Sequence, residues 1–145
     1  MTSYGDALDA RDWSAYRALF ADRVAINYGA IGSLVATVSA DEWTDRCRTL
    51  EGFDATAHRL HNVRASVAGD EAIVTSIVDA AHFVADDDGI LMGDLIGRYT
   101  HRLVRRARWK ISGVVLTVAG YPAGKLAFDA AFAAARANYA EKESR

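Results

Sequence analysis

The order of hydrophobic periods predicts an α+β fold: a curved, largely antiparallel sheet wrapped over helices. Three observations carry that expectation. Apolar residues recur at helical spacing near the start, alternate at strand spacing through four consecutive runs later on, and give way to an alanine-rich helical segment at the end. The chain has 145 residues, 51% of them hydrophobic, and no repeat or Gly/Ser linker divides it. One domain, 1–145, is expected, large enough to hold a core without disulfides or metals.

Each element has its own signal. Tyr4, Ala7 and Leu8, then Trp13, Tyr16, Leu19 and Phe20, lie at helical spacing between Ser3 and Phe20. The string DARD interrupts them and predicts two short helices, with Asp12 capping the second. RVAINYG follows as a strand. Ser39 and Glu42 have the spacing of a capping box, opening a helix whose apolar stripe is Trp43, Cys47 and Leu50. Four strand-like runs come next: HRLHNVRASVA, AIVTSIVDAAHFV, LIGRYTHRLVR and WKISGVVLTVAG. AGDE and RRAR predict tight hairpin turns and ADDDG a looser acidic one. The closing segment, GKLAFDAAFAAARANYA, is helical by its alanine content, although Leu126, Phe128, Phe132 and Tyr139 form no single stripe.

Composition excludes several classes of function. The formal net charge is −2, and the basic string Arg105-Arg106-Ala107-Arg108 falls at a hairpin tip, so nucleic acid is not an expected partner. Cys47 is the only cysteine, which rules out an intrachain disulfide and suggests a buried, inert thiol. The start of the chain lacks the basic and apolar regions of a signal peptide, and no apolar run is long enough to cross a bilayer. A cytoplasmic protein without a membrane partner is expected.

A curved sheet over helices leaves a cavity in its concave face, and strand parity sorts the polar residues around it. His58 and His61 differ by an odd number and point to opposite sides. His82 shares parity with Val74, Ser76, Val78 and Ala80, a row suited to a cavity wall. On the next strand Arg98 and Thr100 share one face, and Leu95, Tyr99, His101 and Leu103 the other. With Arg98 and Thr100 toward the cavity, Leu95, Tyr99 and Leu103 form an outer row too apolar for water, which predicts a homo-oligomer. No HxH, CxxC or HExxH spacing occurs, so no metal is expected, although His58, His82 and Asp9 can converge in space. GxSxG and GxGxxG are also absent, which points away from a serine nucleophile and a dinucleotide cofactor.

The order ALDARDW, RVAINY, TAHRLHN, GDEAIVTSIVDAAH, WKISGV and FDAAF resembles the scytalone dehydratase group of the NTF2-like (SnoaL-like) superfamily, over nearly all of the chain. The resemblance implies a cone-shaped α+β barrel with a C-terminal lid helix and no cofactor. It implies that His58 is the general acid/base, that Asp9 holds it, and that His82 is a second cavity histidine. Tyr28 matches a phenol that polarises the substrate carbonyl, and Phe128 and Phe132 an aromatic pair that closes over the substrate. It also favours a homotrimer over a dimer. Two departures alter the part that reads the substrate. The family's other carbonyl-polarising tyrosine falls on Leu8, with Tyr4 one helical turn earlier able to reach the same pocket. A serine and an asparagine fall near Arg98 and Thr100, and an arginine in the cavity favours an enolate or carboxylate.

Such parts suit dehydration of a small β-hydroxy carbonyl or polyketide-like substrate. One imidazole takes the α-proton and returns it to the leaving hydroxide, while phenols, His82 or Arg98 hold the enolate oxygen. Cyclisation and isomerisation begin with the same proton abstraction, and a non-catalytic binding protein is the reading from another class.

Overall fold

The bend expected at DARD divides the first segment: in the computed structural model, which describes residues 2–145, α1 spans Thr2–Ala10 and α2 spans Trp13–Ala18. Arg11 breaks the helix by taking a left-handed φ of 56°, and Asp12 caps α2 by accepting the Ala15 N–H at 3.0 Å. Strand β1 (Phe20–Asn27), a 3-10 turn at Gly29–Ile31 and strand β2 (Val35–Ser39) come next. Sequence alone did not reveal β2. It is a short edge strand, largely exposed, so no burial alternation marks it, and it exists by pairing with β1. Helix α3 (Ala40–Cys47) starts where expected, with Ser39 Oγ accepting the Glu42 N–H at 3.1 Å. A 3-10 turn at Arg48–Gly52 leads into the meander: β3 (Ala55–Ala68), β4 (Glu71–Asp86), β5 (Gly89–Arg105) and β6 (Trp109–Gly120). Helix α4 (Lys125–Glu143) closes the chain.

The six strands form one sheet in the order β2-β1-β6-β5-β4-β3, antiparallel except for the β1–β6 pair. Register shifts between His61 and Arg64, and twice between β5 and β6, bend the long strands. The sheet therefore curls around the helices without closing, since β2 and β3 remain as edges. Its concave face carries Val24, Ile26, Val78, Ala80, Val114 and Leu116, which pack with Tyr4, Leu8, Trp13, Tyr16 and Trp43 from α1, α2 and α3 into one core.

Pairing register decides which face is concave, and here it reverses part of the parity reading. Ser76 lies opposite Tyr99, Ala80 opposite Leu95 and Val74 opposite His101. Directly opposed residues share a face. Leu95 and Tyr99, expected outside, are therefore buried inside, and Leu103 packs against the same core. Arg98 and Thr100, expected in the cavity, lie on the outer face, with Arg98 exposed. Parity groups residues within a strand but does not say which group faces inward; that follows from pairing with a neighbour of known facing. The apolar row invoked for self-association is thus part of the core, and the outer face exposes Ile73, Ile96 and Val115 instead.

Helix α4 docks through alanine. Ala131 and Ala135 are buried, and Leu126 is 87% exposed, which is why the large side chains show no stripe. Gly52 makes this approach possible, because a Cβ there would lie 1.9 Å from the Ala135 carbonyl oxygen. The helix is thereby held against the Arg48–Gly52 turn and β5, with Phe128 and Phe132 directed inward. Among the described residues no helix is long and apolar enough to cross a membrane.

Candidate active site

A cavity of about 650 Å³ opens between the concave sheet face, α1, α3 and α4. That volume suits a small organic molecule. Its walls are mostly apolar and aromatic, from Leu8, Ile31, Trp43, Leu50, Leu95, Leu116, Phe128 and Phe132. Inside, a pair of histidines and a cluster of phenols interrupt them, and charged side chains, Arg46, Asp129 and Arg136, stand where the cavity opens.

His58 comes from β3 and His82 from β4, with ring centroids 5.2 Å apart. His61, on the opposite face of β3, is exposed, as parity required. Asp9, near the end of α1, reaches β3 because the helix passes close to it. A Cβ on Gly5 would lie 2.7 Å from the His58 carbonyl oxygen. The Asp9 carboxylate accepts three hydrogen bonds: from His58 Nδ1 at 2.7 Å, from the His58 backbone N–H at 2.9 Å and from Thr56 Oγ1 at 2.9 Å. Burial alone would raise the Asp9 carboxyl, but the bonds from His58 and Thr56 outweigh it and hold the group below the ordinary carboxylate range. An ionised Asp9 fixes the proton of His58 on Nδ1. Nε2 is then left with a free lone pair in a side chain that is only 6% exposed and lines the cavity.

His82 is arranged differently. Its Nδ1 lies 2.8 Å from the Gly93 carbonyl, which can only accept, so Nδ1 carries the proton. Burial, with His58 nearby, pushes its pKa down to about 3. His82 is therefore neutral, and its Nε2 offers a lone pair rather than a proton. The expectation that His82 donates to an enolate oxygen is corrected by this geometry: the ring is an acceptor, suited to a substrate hydroxyl. Phe132 and Phe53 pack against it, at 4.8 and 5.1 Å between centroids.

The phenols form a chain. Trp43 Nε1 donates to Tyr16 Oη at 3.1 Å, Tyr16 donates to Tyr4 Oη at 3.2 Å, and Tyr4 Oη lies 3.2 Å from Tyr28 Oη. Indole nitrogen can only donate, and each phenol has one proton, so donation runs from Trp43 toward Tyr4 and Tyr28. One proton of the Tyr4–Tyr28 pair is left for a ligand, and each bond polarises the next. Burial holds Tyr4, Tyr16 and Tyr28 well above the ordinary phenol range and pushes Tyr99 up to about 12, so all four stay protonated. Cys47 Sγ lies 3.6 Å from Tyr16 Oη, and burial pushes the thiol up to about 12, which leaves it protonated and unreactive.

The structure thus brings Asp9, His58, His82, Tyr28, Tyr4, Phe128 and Phe132 to one cavity, and leaves Arg98 and Thr100 outside it. Leu8 is part of the apolar wall. Among the described residues no three His, Cys, Asp or Glu side chains are grouped as metal ligands would be. Sequence reasoning missed Thr56, Tyr16, Trp43 and Tyr99. Thr56 had a signal, because it is two residues before His58 and so shares its strand face. The three aromatics had none beyond their apolar spacing, which reads as core.

The SnoaL-like domain family matches residues 1–115, more than three quarters of the sequence and all the polar residues of the dyad and the phenol chain. The chain belongs to the SnoaL-like domain family. Within this NTF2-like group its fold is similar to that of Kfla4162 from Kribbella flavida, at 24% identity over 87% of this chain and 90% of that one, with a TM-score of 0.80. It is also similar to a candidate scytalone dehydratase from Novosphingobium aromaticivorans, at 26% identity over 83% and 80% of the two chains, with a TM-score of 0.72. A candidate ketosteroid isomerase from Shewanella frigidimarina is similar at 23% identity over 80% and 89%, with a TM-score of 0.61. No curated protein matches the sequence.

Proposed function

We propose that this SnoaL-like protein is a cofactor-independent dehydratase that removes water from a small aromatic or polyketide-like β-hydroxy carbonyl compound. The observation that carries the reading is the Asp9–His58 pair, 2.7 Å apart, on the wall of a largely apolar cavity that also holds a phenol pair with one proton free to donate. His58 Nε2 takes the α-proton, and the C–H electron pair moves into an enolate whose oxygen accepts the hydrogen bond left free in the Tyr4–Tyr28 pair. Asp9 stabilises the resulting imidazolium. His58 then returns the proton to the β-hydroxyl as the C–O bond breaks, and water and an unsaturated carbonyl leave. The catalyst ends as it began.

The neutral His82 favours dehydration over isomerisation or cyclisation. Its bare Nε2 accepts from a substrate hydroxyl, which an elimination substrate must have and an isomerisation substrate need not. The test is incubation with a phenyl-bearing β-hydroxy ketone in deuterated water, followed by mass spectrometry. Loss of water by the wild type and not by His58→Ala is expected. Deuterium exchange or rearrangement without loss of water would overturn dehydration in favour of isomerase chemistry, and ligand binding without exchange would leave a binding protein.

A further inference from the structure

The cavity opens to solvent between the turn at Gly32 and Ser33, the end of α3 and one side of α4, since the lining residues from those places are exposed. Two arginines stand at that mouth, Arg46 on α3 and Arg136 on α4. Among the described residues neither enters an ion pair, and of the arginines without one only these two line the cavity. The one carboxylate at the mouth, Asp129, is already paired with Lys125 a helical turn away. Two uncompensated guanidinium groups therefore guard an otherwise apolar and aromatic chamber, in a protein whose formal net charge is −2. Arg46 lies in the last turn of α3, where a cation is favoured by the helix end; Arg136 sits in the body of α4 and has no such explanation.

We propose that the ligand is an aromatic carboxylate, whose ring enters the chamber while its carboxylate stays at the mouth with Arg46 and Arg136. The planar fork of guanidinium matches a carboxylate in two parallel hydrogen bonds, which a lysine would not. The anion also orients the molecule. It keeps the charged end in water and sends the uncharged carbonyl end toward the phenols. The inference rests on the cavity being the substrate site, as proposed above. It also relocates the cationic contact once expected from Arg98, which lies on the outer face.

The test compares hydroxynaphthoic acid with naphthol by isothermal titration calorimetry on the intact protein. The two differ in the carboxylate and share the ring. The wild type should prefer the acid, and the preference should shrink at high salt. Arg46→Gln and Arg136→Gln should each lower the ratio of the two affinities on the order of fivefold, as expected for charge-assisted bonds at an exposed site. Arg98→Gln removes the same charge from the outer face and should leave the ratio unchanged. A wild-type ratio of one or below, or a ratio unaltered in both cavity-mouth variants, or one altered equally by Arg98→Gln, would overturn the proposal while naphthol binding left the cavity reading standing. Binding of neither compound would overturn both.

Discussion

Replacing Asp9 with asparagine should disable the protein through a proton placed on the wrong nitrogen. Asp9 Oδ2 accepts the His58 backbone N–H, and Oδ1 accepts both His58 Nδ1 and Thr56 Oγ1. The backbone N–H is an obligate donor, so the single amide oxygen of Asn must face it. The amide NH₂ then faces His58 Nδ1 and donates to it. This forces the ring proton onto Nε2, the nitrogen that must remain bare to act as base. The opposite orientation sets two donors against each other at the backbone, at a cost of about 1–3 kcal/mol. Turnover should fall by about 10²- to 10⁴-fold, the range for a lost general base held in the wrong tautomer. The fold should survive, because Asp9 is an edge contact of α1 and not part of the apolar core. Two assays read this: loss of water from the β-hydroxy ketone, and the tautomer of His58 from its ring-nitrogen chemical shifts, which needs no substrate. Wild-type turnover in Asp9→Asn, or a His58 ring still protonated on Nδ1, would refute the reasoning.

Three further predictions follow from the same geometry. His82 and His101 are almost wholly buried, and burial pushes their pKa values from 6.5 down to about 3 and about 4. The unfolded chain binds protons that the folded chain refuses, so stability is full above pH 6.5 and is lost as the pH falls toward 3. At about 1.4 kcal/mol per pH unit of depression, the combined effect reaches several kcal/mol. His101→Phe, which replaces a ring with no hydrogen-bond partner on either nitrogen, should flatten the fall in urea midpoint between pH 7 and pH 5; an unchanged slope would remove His101 from the account. Gly52→Ala places a Cβ against the Ala135 carbonyl and should displace α4, lowering the melting temperature by about 5–15 °C; an unshifted melt would mean that the turn yields cheaply. Tyr28→Phe removes one bond of the phenol chain and Tyr4→Phe removes two, so Tyr4→Phe should cost about 1 kcal/mol more in stability by chemical denaturation, and equal costs would deny that Tyr4 links Tyr16 to Tyr28.

The sequence by itself determined whatever depends on near neighbours. Asp12 and Ser39 cap α2 and α3, because a cap needs only a side chain and an amide three residues on. Alternation placed His58 and His61 on opposite faces, and grouped His82 with Ala80 and Val78. The resemblance in the order of short strings also brought Asp9, His58, His82 and Tyr28 together in advance. Only the tertiary structure decided which face of β5 turns inward. That depends on pairing with β4, where Ser76 meets Tyr99 and Ala80 meets Leu95, and it moved Arg98 and Thr100 outside while burying Leu95 and Tyr99. It alone showed that β2 pairs with β1, that α4 docks on alanines against Gly52, and that Trp43, Tyr16, Tyr4 and Tyr28 form one donor chain. Each joins elements distant in the chain, and contacts of that kind are set by register and packing, which no local pattern encodes.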